Sequence, residues 1–322
     1  MRYRRLGQTA LEISEIGFGA WGIGGASAGA VSYGPTDDGE SLRALRRAFD
    51  LGVTFYDTAD LYGHGHSEQL IGAAFRDIRT RVVLATKVGF LAPYGPQDFS
   101  PRHVRTALEG SLRRLQTDYV DVYQLHNPPM DLLRSNPGLV ETLKDLEHQG
   151  KVRAIGVSVR SPDDGLVAVR EFGVVEVVQV NFSMVDQRAR ENGLLALCER
   201  RSVGVICRTP LCFGFLTGKY GDGWRFDPSD HRSAWSAEQI GRWAEAHELF
   251  AAELDGTRQT HAQLALRFCL SYAAVSSVIP GMLTVEQVEE NTATSEYGRL
   301  DEQERGRVED VYRRNTFFVG SR

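Results

Sequence analysis

Asp57, Tyr62, Lys87 and His126 are the side chains in this sequence whose types and spacing could handle protons together. Asp57 ends the apolar run Val53-Thr54-Phe55-Tyr56, Lys87 ends the run from Val82 to Thr86, His126 ends the run from Val120 to Leu125, and Tyr62 follows the first of these. A carboxylate, a phenol, an ammonium and an imidazole form a complete acid–base set, suited to delivering a proton to an oxygen that gains negative charge. A free phenol, with a pKa of ~10, donates poorly at neutral pH, and a neighbouring ammonium favours the phenolate. Tyr62 is therefore the expected general acid. Asp57 would hold Lys87 charged and aimed, while a neutral His126 would donate to the carbonyl oxygen. This chemistry needs no metal. Singly, each residue has an ordinary explanation: a turn cap, an anchored loop aromatic, a rim charge, a satisfied core histidine. The common placement at strand ends argues against four separate explanations. Lys87 is also one of only four lysines among 37 basic residues, which suggests that a compact point charge is wanted there.

Positioning these groups requires elements that converge. An apolar strand, a short Gly-rich or polar loop and an amphipathic helix recur along the chain, which implies parallel strands. Candidate strands end near Gly19, Asp57, Lys87, Leu125, Val157, Val180, Thr209 and Ile279. Eight strands over about 260 residues predict an α/β fold, a (β/α)8 TIM barrel forming one domain over residues 1–322, with the four residues at its C-terminal face. An open doubly wound sheet is the alternative. Ser100-Pro101 and Ser161-Pro162 read as helix starts, and Thr284 with Gln287 as a capping box opening the last barrel helix. Tyr3 to Leu6 and Leu11 to Ile13, around Gly7-Gln8-Thr9, predict an N-terminal β-hairpin cap. The long loop after strand 7, from Pro210 to Ser236, reads as a lid over the mouth. In the tail, Phe317-Phe318 would return to edge the substrate pocket.

The composition, 42% hydrophobic and 25% charged, is that of a globular protein. A formal charge of -5 with no basic block leaves no footprint for nucleic acid or an anionic membrane. The basic N-terminus lacks an apolar segment behind it, and no run approaches the ~18 apolar residues of a membrane span. Cys198, Cys207, Cys212 and Cys269 show no C-x-x-C spacing, so reduced buried thiols and a cytoplasmic location are expected.

Taken together, Asp57-Thr58-Ala59-Asp60-Leu61-Tyr62-Gly63, Thr86-Lys87 and Gln124-Leu125-His126 resemble the aldo-keto reductase signature. The resemblance continues through Gly156-Val157-Ser158, Val178-Gln179-Val180-Asn181, Leu216-Thr217-Gly218-Lys219-Tyr220 and Ile279-Pro280-Gly281 to Glu290-Asn291. It implies a nicotinamide cofactor extended across the barrel mouth and a small-molecule carbonyl substrate held by Tyr62 and His126. Position by position, it implies that Ser158 and Gln179 bond the carboxamide, that Gly19, Ala20 and Trp21 flank the ribose, and that Asp57 reaches it too. Leu211, Gly214 and Lys219 would pass over the pyrophosphate, and Gln287, Glu290 and Asn291 would meet the adenosine. Without the four acid–base residues, these would read as turn glycines, solvated helix polars and a surface lysine.

Three departures from the family pattern stand out. Val159 and Arg160 follow the serine where many members have asparagine, which leaves one carboxamide hydrogen bond unassigned. Arg208 stands where a tyrosine often stacks under the nicotinamide; its planar guanidinium can stack while adding charge. The family usually prefers NADPH and meets its 2′-phosphate with cations near the start of the last helix, yet Gly281, Met282, Leu283, Thr284 and Gln287 include none. NADP(H) is the expected cofactor, with unusual tolerance of NAD(H). His64 and His66 read as a solvated loop rather than a metal site, and Gly22 to Gly29 as a flexible loop near the substrate mouth. Trp21, Trp224 and Trp235 would line or cover the pocket, or else pack in the core. The rival functions are a nucleotide-binding regulatory subunit, since potassium-channel β subunits resemble this family, and an unrelated phosphate-binding barrel enzyme, which leaves the four residues unexplained.

Overall fold

Parallel pairing runs without interruption through eight strands in the computed structural model, which describes residues 1–26, 31–253 and 259–320. A hairpin of β1 (Tyr3–Arg5) and β2 (Glu12–Ser14) precedes them. The sheet then follows sequence order: β3 (Phe18–Gly19), β4 (Phe55–Asp57), β5 (Val83–Val88), β6 (Val120–His126), β7 (Val152–Ser158), β8 (Val177–Asn181), β9 (Gly204–Arg208) and β10 (Val275–Val278). Its two edges meet. Ile16 pairs with Val278 and Gly19 with Gly281, and the Gly17 amide donates to Val278 O at 2.8 Å, so the sheet closes into the expected (β/α)8 barrel. No reversal of strand order remains to support a doubly wound sheet.

Helices return the chain between strands: α1 (Asp38–Asp50), α2 (His66–Phe75), α3 (Pro101–Leu115), α4 (Met130–Ser135), α5 (Pro137–His148), α6 (Pro162–Glu171), α7 (Arg188–Glu191) and α8 (Leu194–Arg201). After β9 come α9 (Ala237–Ala244), α10 (Ala246–Ala251) and α11 (His261–Leu270), and after β10 come α12 (Val285–Tyr297) and α13 (Glu302–Arg314). The predicted starts hold at Ser100, which accepts from His103 N, and at Ser161, which forms a full capping box with Asp164. At α12 only half the box forms. Thr284 accepts from Gln287 N, but the Gln287 side chain reaches past it to accept from Leu283 N at 2.7 Å. Among the described residues, no helix is long and apolar enough to cross a membrane.

The barrel interior is legible strand by strand because alternate residues share a face. Phe55, Ala85, Val122, Ala154, Val177 and Ile206 form an apolar layer with Ile279, plugged at the N-terminal end by Leu6, Leu11 and Ile13 of the hairpin. The hairpin thus caps the barrel. Each large side chain buried there contributes about 1.5–3 kcal/mol. Two residues further along the same strands, on the same face, stand Asp57, Lys87, Gln124, Gly156, Gln179 and Arg208, paired in register through Lys87↔Gln124 and Gln124↔Gly156. An apolar floor therefore lies directly beneath a polar layer.

The segment after β9 contains two 3-10 turns, Cys212–Thr217 and His231–Ala234, before α9 begins. It is tied over the mouth to the loop after β3 by the His231 amide, which donates to Ser32 O at 3.0 Å. The tail departs from expectation. Phe317 stacks on Phe250 and Tyr312, Phe318 meets Trp243, and Arg242 and Gln239 donate to the carbonyls of Phe318 and Phe317, each at 2.8 Å. The aromatic outer face of α9 and α10 holds the tail away from the pocket.

Candidate active site

Lys87 organises the site from within the polar layer. Its buried ammonium donates to Asp57 Oδ1, to Thr58 O at 2.8 Å and to the Tyr62 hydroxyl at 3.2 Å. Burial alone pulls the ammonium down, but the charge on Asp57 and the bonds accepted by Asp57 and Tyr62 outweigh it, and its pKa ends above the ordinary lysine value. Asp57 Oδ2 accepts from Gln124 Nε2 at 2.9 Å and from Gln179 Nε2 at 2.8 Å. Both carboxylate oxygens are therefore engaged, as a buried charge requires.

Tyr62 is placed by backbone contact. Gly63, next in the chain, has φ +59, and a Cβ there would come within 2.2 Å of Gly24 O. Gly22–Gly24 is a buried 3-10 turn that packs on this corner, so the glycines permit close approach where the sequence suggested flexibility. Residues 27–30, including Gly29 at the end of that run, lie outside the described residues. His126 faces Tyr62 with ring centroids 6.1 Å apart and Phe90 at 5.0 Å. Its Nδ1 is buried without a partner, and burial, with the charges of Lys87 and Arg208, holds its pKa well below the ordinary histidine value. The ring is neutral.

A cavity of about 830 Å³ runs from these residues to the start of α12. Of the residues singled out in the sequence, Gly19, Ala20, Trp21, Asp57, Tyr62, His126, Gln179, Arg208, Leu211, Gly214, Lys219, Gly281, Gln287, Glu290 and Asn291 line it. Lys87 and Ser158 do not; both stand buried behind the wall. Ser158 Oγ donates to Gln179 Oε1 at 3.4 Å, so these two residues bond each other and, through Gln179, Asp57. Arg208 donates to Val159 O at 3.1 Å and keeps a buried Nε without a partner. Trp21 lies 6.5 Å from Tyr62 between ring centroids, whereas Trp235 packs against Trp243 and Phe213, and Trp224 is an exposed edge on Tyr220; neither borders the cavity. His66 is occupied by Gly24 O and Asp38. No cluster of metal-ligating side chains occurs among the described residues.

Residues 15–313 match the Aldo/keto reductase family. The chain belongs to that family. An uncharacterised oxidoreductase, YqkF of Bacillus subtilis, is 32% identical over 317 residues, covering 94% of each chain. A rice protein described as a probable voltage-gated potassium channel subunit beta is 31% identical, covering 90% of each. Aldo-keto reductase AKR11C1 from Bacillus halodurans, in its holo form, superposes with a TM-score of 0.78 at 28% identity over 97% of this chain and 96% of its own.

In this aldo/keto reductase the sequence reading missed Gln124. In the sequence it stands as a neighbour of His126, yet it lies two residues before it on the same strand face and donates to Asp57. Gly156, paired with it, makes the room: a Cβ there would come within 2.9 Å of Gln124 Cγ. The alternation of apolar Val122 with Gln124 was the available signal.

Proposed function

We propose that this aldo/keto reductase transfers hydride between NAD(P)H and the carbonyl carbon of an aldehyde, ketone or sugar-like carbonyl, with Tyr62 as proton donor in the reducing direction. The observation that carries this is the Lys87 ammonium, which spans from Asp57 to the Tyr62 hydroxyl at the wall of a cavity that Tyr62 and His126 share. The residues fit a dinucleotide. The cavity lies in the upper part of the ~300–1,000 Å³ range for ligand sites and has Lys219, Arg208 and His126 in its lining. The bound nicotinamide would supply the hydride.

The chain's own residues do the rest. A neutral His126 whose buried Nδ1 has no acceptor keeps its single proton at least cost on Nε2, as a donor to the substrate oxygen. Tyr62 gives its proton to the developing alkoxide, and Lys87 stabilises the phenolate left behind. Asp57, fixed by Gln124 and Gln179, keeps Lys87 charged and in place. Arg208 stands near the carboxamide end and Gln287, Glu290 and Asn291 near the adenosine end. The four cysteines are free and buried, which supports a reducing, cytoplasmic setting.

The test is consumption of NADH and NADPH, followed by nicotinamide absorbance, with a panel of aldehydes, α-dicarbonyls and keto sugars. Turnover of at least one carbonyl supports the reading. Tight nucleotide binding without turnover on any of them supports instead a nucleotide-responsive regulatory subunit, the second reading, which rests on the likeness to the rice channel subunit.

A further inference from the structure

Arg208 ends β9 in the polar layer that holds Asp57, Lys87 and Gln179, and it lines the cavity together with Tyr62 and His126. Its Nη2 donates to a backbone carbonyl, Val159 O, at 3.1 Å, and among the described residues no carboxylate pairs with it. The carboxylates whose charge it feels are already taken. Asp57 is held by Lys87, Gln124 and Gln179, and Asp186 by Arg188, which donates to its two oxygens at 2.8 and 2.6 Å. Burial pulls the guanidinium below the ordinary arginine value, the mark of a cation short of compensating charge, although an arginine stays protonated. Its field reaches the reacting groups. After burial and Lys87, Arg208 is the third influence that lowers the His126 pKa, and Tyr62 heads the charges that act on Arg208 in turn.

We propose that Arg208 makes the site hold a reduced nicotinamide more tightly than an oxidised one, by setting an unpaired positive charge beside the ring. The inference rests on the dinucleotide reading of the cavity and adds a preference between the two redox states. A ring that gives hydride to a carbonyl held by Tyr62 and His126 must stand among the same walls, within the field of Arg208. The reduced ring is neutral. When the hydride, a proton with two electrons, goes to the carbonyl carbon and the Tyr62 proton completes the alcohol, the ring is left with one positive charge. Two like charges in a buried layer repel far more strongly than in water. Lys87 adds little to this repulsion, because its charge is answered by Asp57. The phosphates and the adenosine are the same in both redox states, so only groups near the ring can tell them apart. Selectivity comes from a repulsive element, which also speeds release of the oxidised nucleotide after reduction.

The test is titration calorimetry of the full chain with both redox forms of each nucleotide, NADPH with NADP⁺ and NADH with NAD⁺, read without turnover. The native protein is expected to bind the reduced form at least about tenfold more tightly than the oxidised form of the nucleotide it accepts. Arg208→Gln keeps a donor for Val159 O and removes the charge, so it should close most of that gap by strengthening the oxidised form. Arg208→Lys keeps a charge there and should keep the gap. A merely structural role would weaken both forms alike, so an unchanged ratio in Arg208→Gln overturns the inference. Native protein that binds the two forms equally, or the oxidised form tighter, overturns it too, as does an Arg208→Lys variant without the gap. Should Arg208→Gln fail to fold, the native ratio and Arg208→Lys still decide. Binding of none of the four removes the dinucleotide reading itself, whereas binding without discrimination removes only the role of Arg208.

Discussion

Gln179 Nε2 donates to Asp57 Oδ2 at 2.8 Å across the barrel mouth, joining β8 to β4 over 122 residues of chain. Gln124 donates to the same oxygen from β6. The two amides share the task of holding a buried carboxylate, but only Gln179 also borders the cavity. Gln179→Leu and Gln124→Leu should each lower unfolding stability by about 1.5–3 kcal/mol in urea titrations, the cost of a hydrogen bond to a charged group. Only Gln179→Leu should also weaken nucleotide binding. Equal nucleotide affinities in the two variants would contradict a dual role for Gln179.

Lys87→Met leaves the buried Asp57 carboxyl without its counterion. Breaking such a pair costs about 3–5 kcal/mol. Adding Asp57→Asn should recover part of the stability and none of the activity, because the loss of stability comes from the unpaired charge whereas the loss of rate comes from the missing ammonium beside Tyr62. Thermal denaturation and carbonyl reduction measured on the same three proteins separate the two effects.

His126 is held well below the ordinary histidine pKa by burial, Lys87 and Arg208. The unfolded chain protonates this imidazole near ~6.5 while the folded one does not, so its contribution to stability is present above that pH and lost as pH falls below it. His126→Asn should flatten this part of the stability profile. In the native protein, NMR of the ring should show no protonation at about pH 5.5, and protonation there would contradict the neutral-donor assignment.

Asp60 behaves oppositely. Burial, reinforced by the charge of Glu68, pushes its carboxyl up to about 7, and its Oδ1 is buried without a partner. Glu68 is itself held by Thr86 and Arg114, both at 2.6 Å. A carboxyl whose folded-state pKa is raised favours folding below its unfolded value, and that contribution is lost as pH rises through the folded value. Asp60→Asn should therefore raise the melting temperature at about pH 8, a gain of a few kcal/mol at most, and change it little near pH 4. An equal gain at both values would point to packing as the cause.

The barrel was legible because its period is local. Apolar runs ending in Asp57, Lys87 and His126 mark strand ends to within a residue, and Gly7-Gln8-Thr9 between two short runs marks the hairpin. Contacts that join distant segments left weaker traces. The bond from the Val285 amide to Glu40 and the Gly24–Gly63 approach depend on the packing of whole elements, and no local pattern names either partner. Phe317 and Phe318 showed that the tail packs somewhere, but the aromatic face that receives them is assembled from α9, α10 and α13 only after folding. Gln124 was readable in principle, by carrying the two-residue alternation of β6 up to His126.

In the proposed reaction Tyr62 delivers the proton. Its most direct test compares native protein with Tyr62→Phe, measuring carbonyl-dependent NAD(P)H oxidation alongside the nucleotide dissociation constant. Removal of a general acid costs about 10²–10⁴ in rate; the variant should lose that much in kcat while binding nucleotide as the native protein does. A Tyr62→Phe variant that reduces the carbonyl at the native rate would rule Tyr62 out as the proton donor.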